Sequence, residues 1–360
     1  MSSHWGTKLS FSIFGESHGA GIGVVLEGIP AGERLDFEEL GRFLLRRSPG
    51  RSSVSTSRVE GDEPEFLSGV KDGVTTGSPI SALIRNGDTR SSDYAVHLDV
   101  PRPGHADYSA QLRYGGHQDV RGGGHFSGRL TAPLCVAGGI AKQVLSRRGV
   151  TVGAHILSIS GIYDRCFSER GLSLDELLGP GKKSFPVLDD SIGLDMVSAI
   201  ESARAEGDSV GGRIECVALG VPGGLGEPMF GGVENVMSSL VFGIPGVRGI
   251  EFGYGIGAAD LRGSEHNDGF ELAENGFVDT TTNRHGGVLG GITTGMPIVV
   301  KVGFKPTPSI AKLQRSISLD RQEEVELSVK GRHDPCIVPR AVPVVESAVA
   351  LALLDLMLLG

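Results

Sequence analysis

The chain is 360 residues long and carries 34 Lys and Arg against 43 Asp and Glu, a formal charge of -9, so general nucleic-acid binding, which needs a basic surface, is not expected. Hydrophobic residues make up 39%, the composition of a soluble globular protein with room for one large or two ordinary domains. Glycine is the anomaly: 56 residues, about twice the usual share, gathered in clusters that predict tight loops and backbone brought close to a ligand.

The opening, MSSHWGTKLSFSIFGE, has no uninterrupted apolar run behind a basic start, so no secretory leader is expected. Leu9 to Phe14 and Gly23 to Glu27 read as strands. Asp36 with Glu39 three residues later is a capping box, predicting a helix through Leu40, Phe43 and Leu44 into a basic run. From Leu40 to Arg58 the chain holds five arginines, Arg42, Arg46, Arg47, Arg51 and Arg58, and no acid. On an acidic protein this local patch of guanidiniums, hydroxyls and a Pro-Gly turn suits phosphate and carboxylate oxygens.

Ile80 to Ile84 reads as a strand, and Thr131 with Pro133 begins a second helix carrying Leu134, Ile140, Val144 and Leu145 before Gly149. His155 to Ile159 and Arg213 to Leu219 are strand-like, and between them Asp195 starts a third helix through Met196, Ile200 and Ala203, stopped at Gly207. Pro297 to Val302 is a further strand, and Val344 to Leu358 a last helix. The run Val342 to Leu359 is the most apolar, but Pro343, Glu346 and Asp355 interrupt it, so it reads as a buried helix rather than a membrane span. Cys135, Cys166, Cys216 and Cys336 form no CxxC pair and give no disulfide or metal-site signal, as in a reducing cytoplasm. Strands and helices without regular alternation favour an α+β class.

Residues 69 to 80, GVKDGVTTGSPI, and 287 to 298, GVLGGITTGMPI, share eight identities in twelve positions. Upstream of each lies a shorter match in the same order, VVLEGIPAG ending at Gly32 and CVALGVPGG ending at Gly224. Two ordered matches predict an internal duplication, one pseudo-symmetric domain over 1–360 whose halves meet near 205–212, with ligands at the seam.

Several loops carry chemistry. Gly15-Glu16-Ser17-His18-Gly19 fits the G-x-S-x-G elbow of serine hydrolases, but AGIGVVLEGIP follows it and no helix is expected there, as that elbow requires. What remains is a histidine between glycines at a strand end. Arg102-Pro103-Gly104-His105-Ala106-Asp107 sets a second histidine in a rigid turn beside arginine and acid, and two such imidazoles can share acid and base duties. His117 and His125 lack a third ligand at metal-site spacing. Lys305-Pro306-Thr307-Pro308-Ser309 offers a cation and two hydroxyls on a stiff loop, and Gly331-Arg332-His333-Asp334 joins arginine, histidine and aspartate. No dinucleotide fingerprint or Walker A loop is present.

GESHG, RRSPGRSS, TTGSPI, RPGHADYS, DVRGGGHFSGRLTA, LGGITTG, FKPTPSI and GRHDPC, in this order from about residue 8 to about residue 352, resemble chorismate synthase. The resemblance implies a carbon-oxygen lyase that eliminates phosphate and a C6 hydrogen from 5-enolpyruvylshikimate 3-phosphate in a 1,4-anti sense. It also implies reduced FMN, required without net redox change, with NADPH as the ultimate reductant. The compact length favours a separate flavin reductase as the partner that supplies it. The fold implied is helices sandwiched between two antiparallel sheets, in a cytoplasmic homotetramer without membrane or nucleic-acid partners.

Carried over residue by residue, the resemblance gives His18 as the acid that protonates the leaving phosphate, His105 as the histidine beside the reduced flavin, and Asp334 as the aspartate that helps remove the C6 proton. Arg47, with Arg46 and Arg51, would hold the anionic substrate. Flavin contacts would include His125, Phe126, Ser127, Gly290, Lys305, Pro306, Thr307, Pro308, Ser309 and Arg332, with Pro245 and Gly246 contributing backbone only. Many family members have arginine and a hydroxyl where this chain has His125 and Phe126, so a protonation-sensitive flavin contact, weaker at high pH, is expected. The competing readings are a hydrolase built on Ser17 and a non-catalytic binding protein for a phosphorylated, carboxylated small molecule, which would need the arginines but not the three catalytic groups together.

Overall fold

A computed structural model of the protein describes residues 3–50, 61–87, 97–272, 276, 278–329 and 334–360. The first stretch gives β1 (His4–Gly6), β2 (Ser10–Gly15), β3 (Gly21–Glu27), α1 (Phe37–Arg47), β4 (Glu65–Ser68), the ribbon β5 (Val70–Lys71) and β6 (Val74–Thr75), and β7 (Ile80–Arg85). Then come α2 (Asp107–Tyr114), α3 (Thr131–Arg147), β8 (Thr151–Ile159), β9 (Ile162–Tyr163), α4 (Leu174–Leu178), α5 (Asp190–Ala205), β10 (Gly212–Leu219), α6 (Val233–Val241) and β11 (Val247–Phe252). The last part holds α7 (Gly263–His266), the ribbons β12 (Phe270–Leu272) with β13 (Val278–Thr280) and β14 (Val288–Leu289) with β15 (Ile292–Thr293), then β16 (Ile298–Phe304), a third ribbon of β17 (Gln314–Ser318) with β18 (Glu323–Leu327), and α8 (Val338–Leu359).

Among the described residues two five-stranded sheets form, ordered β1-β2-β3-β7-β4 and β11-β16-β10-β8-β9, and every pairing in them is antiparallel. Period-2 burial drives them: in β16, Ile298, Val300, Val302 and Phe304 face the core while Val299, Lys301 and Gly303 take the other face. Helix α3 packs on β2, β3 and β7 of the first sheet and on β8 of the second, and α8 packs on α3, β8 and β10. A mixed α and antiparallel-β architecture is what the sequence predicts.

Helix α1 begins where the capping signal places it, with Asp36 Oδ1 accepting the Glu39 N–H at 2.9 Å, and it buries Leu40, Phe43 and Leu44 along one stripe. Two expected boundaries differ. The third helix starts five residues earlier than Asp195, capped by Asp189, whose side chain accepts from Ser191 N–H. Helix α8 starts at Val338, with Pro339 in its first turn, where a missing amide costs little, and it continues through Pro343 inside the helix. Among the described residues α8 alone is long and apolar enough to cross a membrane, but 83% of its most apolar window is buried inside the protein. At its crossing with α3 a side chain on Gly138 would collide with Ser347, 2.1 Å from its Cβ.

Buried charge ties the layers together. Glu346 of α8 accepts from Arg46 of α1 at 2.5 and 3.0 Å and also from Lys142 of α3. Burial raises the Glu346 carboxyl, and the two cations outweigh it and hold it below the usual range. Near the other end of α8, Asp355 accepts the backbone N–H groups of Thr7, Lys8 and Leu9, at 3.2, 2.7 and 2.8 Å.

The two ribbons β5-β6 and β14-β15 are anchored by the same bonds. Thr75 donates its hydroxyl to Pro30 O at 2.6 Å and accepts from Glu33 N–H at 2.9 Å. Thr293 donates to Pro222 O at 2.7 Å and accepts from Leu225 N–H at 2.9 Å. The outer strands β4 and β11 each carry a bulge, between Phe66 and Ser68 and between Val247 and Gly249, and the pairing of β10 with β8 also shifts register between Arg213 and Ile214.

Candidate active site

The glycine loop after α2 is the centre of the arrangement. Gly122, Gly123 and Gly124 all have positive φ, at 60, 84 and 52°, which glycine alone adopts without strain. The bare backbone lets the loop pass between the two histidines. A Cβ on Gly122 would lie 2.4 Å from the His18 ring, and one on Gly123 would lie 3.3 Å from His105 Nε2. Ser17 N–H donates to Gly124 O at 3.2 Å, which fixes the strand end carrying His18 to this loop.

His105 is oriented by its own turn. Its Nδ1 lies 2.6 Å from Asp107 Oδ1, and since a carboxylate only accepts, Nδ1 carries the proton and Nε2 is left toward the glycine loop. Arg102 clamps the same carboxylate, donating from its backbone N–H at 3.0 Å, from Nε at 2.8 Å and from Nη2 at 2.8 Å. Burial raises the Asp107 carboxyl, but the hydrogen bonds and charges of Arg102 and His105 hold it well below its ordinary value.

These elements border a cavity of about 550 Å³, within the usual range for small-molecule sites. Its wall includes Arg47, His105, His125, Phe126, Ser127, Arg129, Pro245, Gly246, Arg248, all five residues from Lys305 to Ser309, Asp334 and Arg340. Most of the residues singled out in the sequence therefore converge. His18 is buried directly behind Gly122. Arg51 and Arg332 lie outside the described residues.

Arg47 is buried and fully engaged, bonding Asp62 at 2.7 Å and Thr131 Oγ1 and Gly128 O at 3.2 Å each. Arg129 bonds the other oxygen of Asp62, so two guanidiniums share one carboxylate and the wall keeps a positive charge. Burial pushes the Asp62 carboxyl up, and the two arginines reverse this and hold it below the ordinary range. Asp334 accepts from Arg340, whose Nε also donates to Arg47 O at 3.0 Å.

Three expectations need correction. Arg46 does not face the cavity, because its guanidinium is spent on Glu346 in the core. Gly290 sits at positive φ in the turn between β14 and β15 and is not among the lining residues. His125 lines the cavity, but both ring nitrogens are taken, Nδ1 by Gly15 O at 2.8 Å and Nε2 by Ser3 Oγ at 2.6 Å. With both nitrogens engaged, neither is left to donate to a flavin oxygen. The hydrolase reading fails as expected: the chain after Ser17 enters strand β3 and not a helix.

The lining suits a flavin phosphate and a polar substrate. Thr307 Oγ1 is buried with no hydrogen-bond partner among the described residues, a hydroxyl that a bound oxyanion would satisfy. Lys305 beside it has its ammonium pKa lowered, by burial first and then by the Arg248 charge. Sequence reasoning missed Asp62, Arg129, Arg248 and Arg340. Arg102 and Asp107 were visible in the RPGHAD turn as neighbours of His105.

A family model described as chorismate synthase matches residues 9–358. Similar proteins named chorismate synthase include one from Korarchaeum cryptofilum (strain OPF8), 48% identical over 360 residues, covering 98% of this chain and 96% of its own. One from Thermococcus kodakarensis (strain ATCC BAA-918 / JCM 12380 / KOD1) is 50% identical over 350 residues, covering 97% and 96%. A solved structure described as a crystal structure of chorismate synthase aligns with a TM-score of 0.76 at 28% identity, over 98% of this chain and 92% of that one.

Proposed function

The chain belongs to the chorismate synthase family, lyases that convert 5-enolpyruvylshikimate 3-phosphate to chorismate and phosphate, and we propose that the cavity beside the triple-glycine loop is where this chain does so. The observation that carries the assignment is the approach of His18 and His105 to the Gly122-Gly123 backbone, next to a wall with Arg47, Lys305 and Asp334.

When bound, reduced FMN, the family's cofactor, would supply transient electron density to the elimination without net redox change. His18 donates a proton to the departing phosphate oxygen, a general-acid contribution of roughly 100- to 10,000-fold. His105, held by Asp107 and Arg102, presents Nε2 toward the flavin side and stabilises negative charge when protonated. Asp334, oriented by Arg340, helps take up the C6 proton. The Arg47-Asp62-Arg129 cluster gives the substrate carboxylates and phosphate a net positive wall without a loose side chain, so little ordering entropy remains to be lost on binding. Lys305, Thr307 and Ser309 would hold the flavin, with the backbone of Pro245 and Gly246 and the side chains of Phe126 and Ser127.

The helices lie between two sheets related by an internal duplication within a single domain. Matching strand orders and matching threonine-anchored ribbons support this. Pairing β2, β3, β7 and β4 with β8, β10, β16 and β11 favours a junction between α3 and β8, earlier than residues 205–212. The enzyme works as a cytoplasmic homotetramer, and a separate NADPH-dependent reductase supplies the reduced flavin.

Anaerobic mixing of protein, chemically reduced FMN and 5-enolpyruvylshikimate 3-phosphate tests the assignment. Chorismate and phosphate should form together, and not with oxidised FMN. His18→Ala should abolish turnover and spare flavin binding. Tight substrate binding without product would favour the non-catalytic reading instead.

A further inference from the structure

Arg248 is the extra residue of the bulge in β11. Val247 pairs with Phe304 and Gly249 with Gly303, which leaves Arg248 without a cross-strand partner, and a bulge at a sheet edge re-aims the side chain it carries. Here it aims Arg248 at the boundary between the cavity already described and a groove of about 930 Å³ on the outer face of the second sheet, and Arg248 lines both. Lys305, just beyond the end of β16, lines both as well.

The groove floor beside Arg248 is bare. Gly249 and Gly303 face each other in mid-strand. A Cβ on Gly249 would meet nothing within 4 Å, and one on Gly303 nothing nearer than 4.0 Å. Neither has a positive φ, so the backbone does not demand glycine at either place, and the result is open space next to two cations. A glycine within a strand marks close approach of a ligand or another backbone.

Two observations say the ligand is an anion. Among the described residues no carboxylate pairs with Arg248 or Lys305, although Glu234 and Glu251 line the same groove; Lys305 Nζ donates only to Gly104 O. Like charges so placed disfavour each other unless an anion bridges them. Two residues on, Thr307 Oγ1 is a buried hydroxyl lacking a partner. The cavity wall thus carries a guanidinium fork from β11 and an ammonium and a hydroxyl from the loop after β16, a donor set that fits the several oxygens of a tetrahedral dianion better than a planar carboxylate.

We propose that Arg248 and Lys305, with the Thr307 hydroxyl, clamp a phosphate dianion at the junction of the cavity and the outer groove, making Arg248 a further binding residue of this site. The clamp rests on the functional reading above, and its phosphate belongs either to the flavin or to the inorganic phosphate released from substrate.

Titrating Arg248→Gln and Arg248→Lys with oxidised FMN, riboflavin and inorganic phosphate separates these sources. Losing one charge-assisted contact should weaken the bound phosphate by about tenfold or more, and less in the lysine variant. FMN affinity lost with riboflavin affinity retained assigns the clamp to the flavin phosphate. An unchanged FMN to riboflavin ratio with weakened inorganic phosphate assigns it to the released phosphate. If a variant that melts like the unsubstituted protein alters neither the ratio nor phosphate affinity, the clamp is wrong. Unsubstituted protein that binds neither flavin would overturn the reading of the cavity, while the inorganic phosphate arm would still decide the clamp.

Discussion

Replacing Arg46 by methionine separates a core ion pair from a substrate contact. The Arg46 side chain is 18% exposed and that of Glu346 2%, so the pair is poorly screened. Unit charges about 4 Å apart attract by roughly 4 kcal/mol at an effective dielectric near 20, and breaking a buried pair from one side costs about 3–5 kcal/mol. Lys142 remains on the same carboxylate, which argues for the lower end, about 3 kcal/mol. In a chain of this length that lowers the melting temperature by on the order of 5 °C. Thermal and urea unfolding should be measured beside the KM for 5-enolpyruvylshikimate 3-phosphate. Arg46→Met should melt early with KM within about twofold of the original. A tenfold rise in KM at unchanged stability would refute the ion-pair account and restore Arg46 as a substrate residue. Converting the whole triad, Arg46→Met with Lys142→Met and Glu346→Leu, should recover most of the loss, because a buried charge cluster is often replaceable by apolar side chains of similar volume.

Gly122→Ala forces a Cβ into the His18 ring at a positive φ, so turnover should fall at least about tenfold, measured as single-turnover chorismate formation; normal turnover would show that the loop and His18 are not coupled. Asp62, Asp107 and Glu346 all have carboxyl pKa values held below the ordinary range, so each adds stability that is present above the unfolded carboxylate pKa, about 4, and is lost as pH falls through the lower folded value. Their joint contribution to the urea midpoint should therefore stay level above about pH 5 and fall below about pH 4. Asp62→Asn should start less stable at pH 7 and lose less on acidification, and an identical acid slope in the variant would contradict this. His125→Ala should leave FMN affinity within about threefold, given the two occupied nitrogens of His125; a loss of about tenfold or more by fluorescence titration would show that the ring itself reaches the flavin.

What could be read in the chain was whatever its own neighbourhood decides. The capping signal at Asp36, the alternation in Ile298–Phe304 and the histidines held in glycine turns all carry their meaning within a few residues. Helix α6 escaped notice because glycines flank it and no side chain caps its start. The partners of the arginines were illegible for a different reason. Arg46 meets a carboxylate 300 residues away and Arg129 one 67 residues away, and no local pattern says which arginine of a basic run turns inward. The repeat was legible as matched strings, but the threonine bonds that make the ribbons equivalent follow from tertiary placement.

The contact between Asp355 and the amides of Thr7, Lys8 and Leu9 spans up to 348 positions and sets when the protein can finish folding. Residues 7–9 leave the ribosome long before their carboxylate partner, which is not made until nearly the whole described chain has been translated. At roughly 5–20 residues per second these amides wait on the order of tens of seconds for their carboxylate, and until then the faces of α3, β8 and β10 that α8 covers stay wet. Those faces are thus a prime surface for chaperone capture during synthesis, and a nascent chain stalled before residue 338 should remain protease-sensitive even though most of its strands have already emerged.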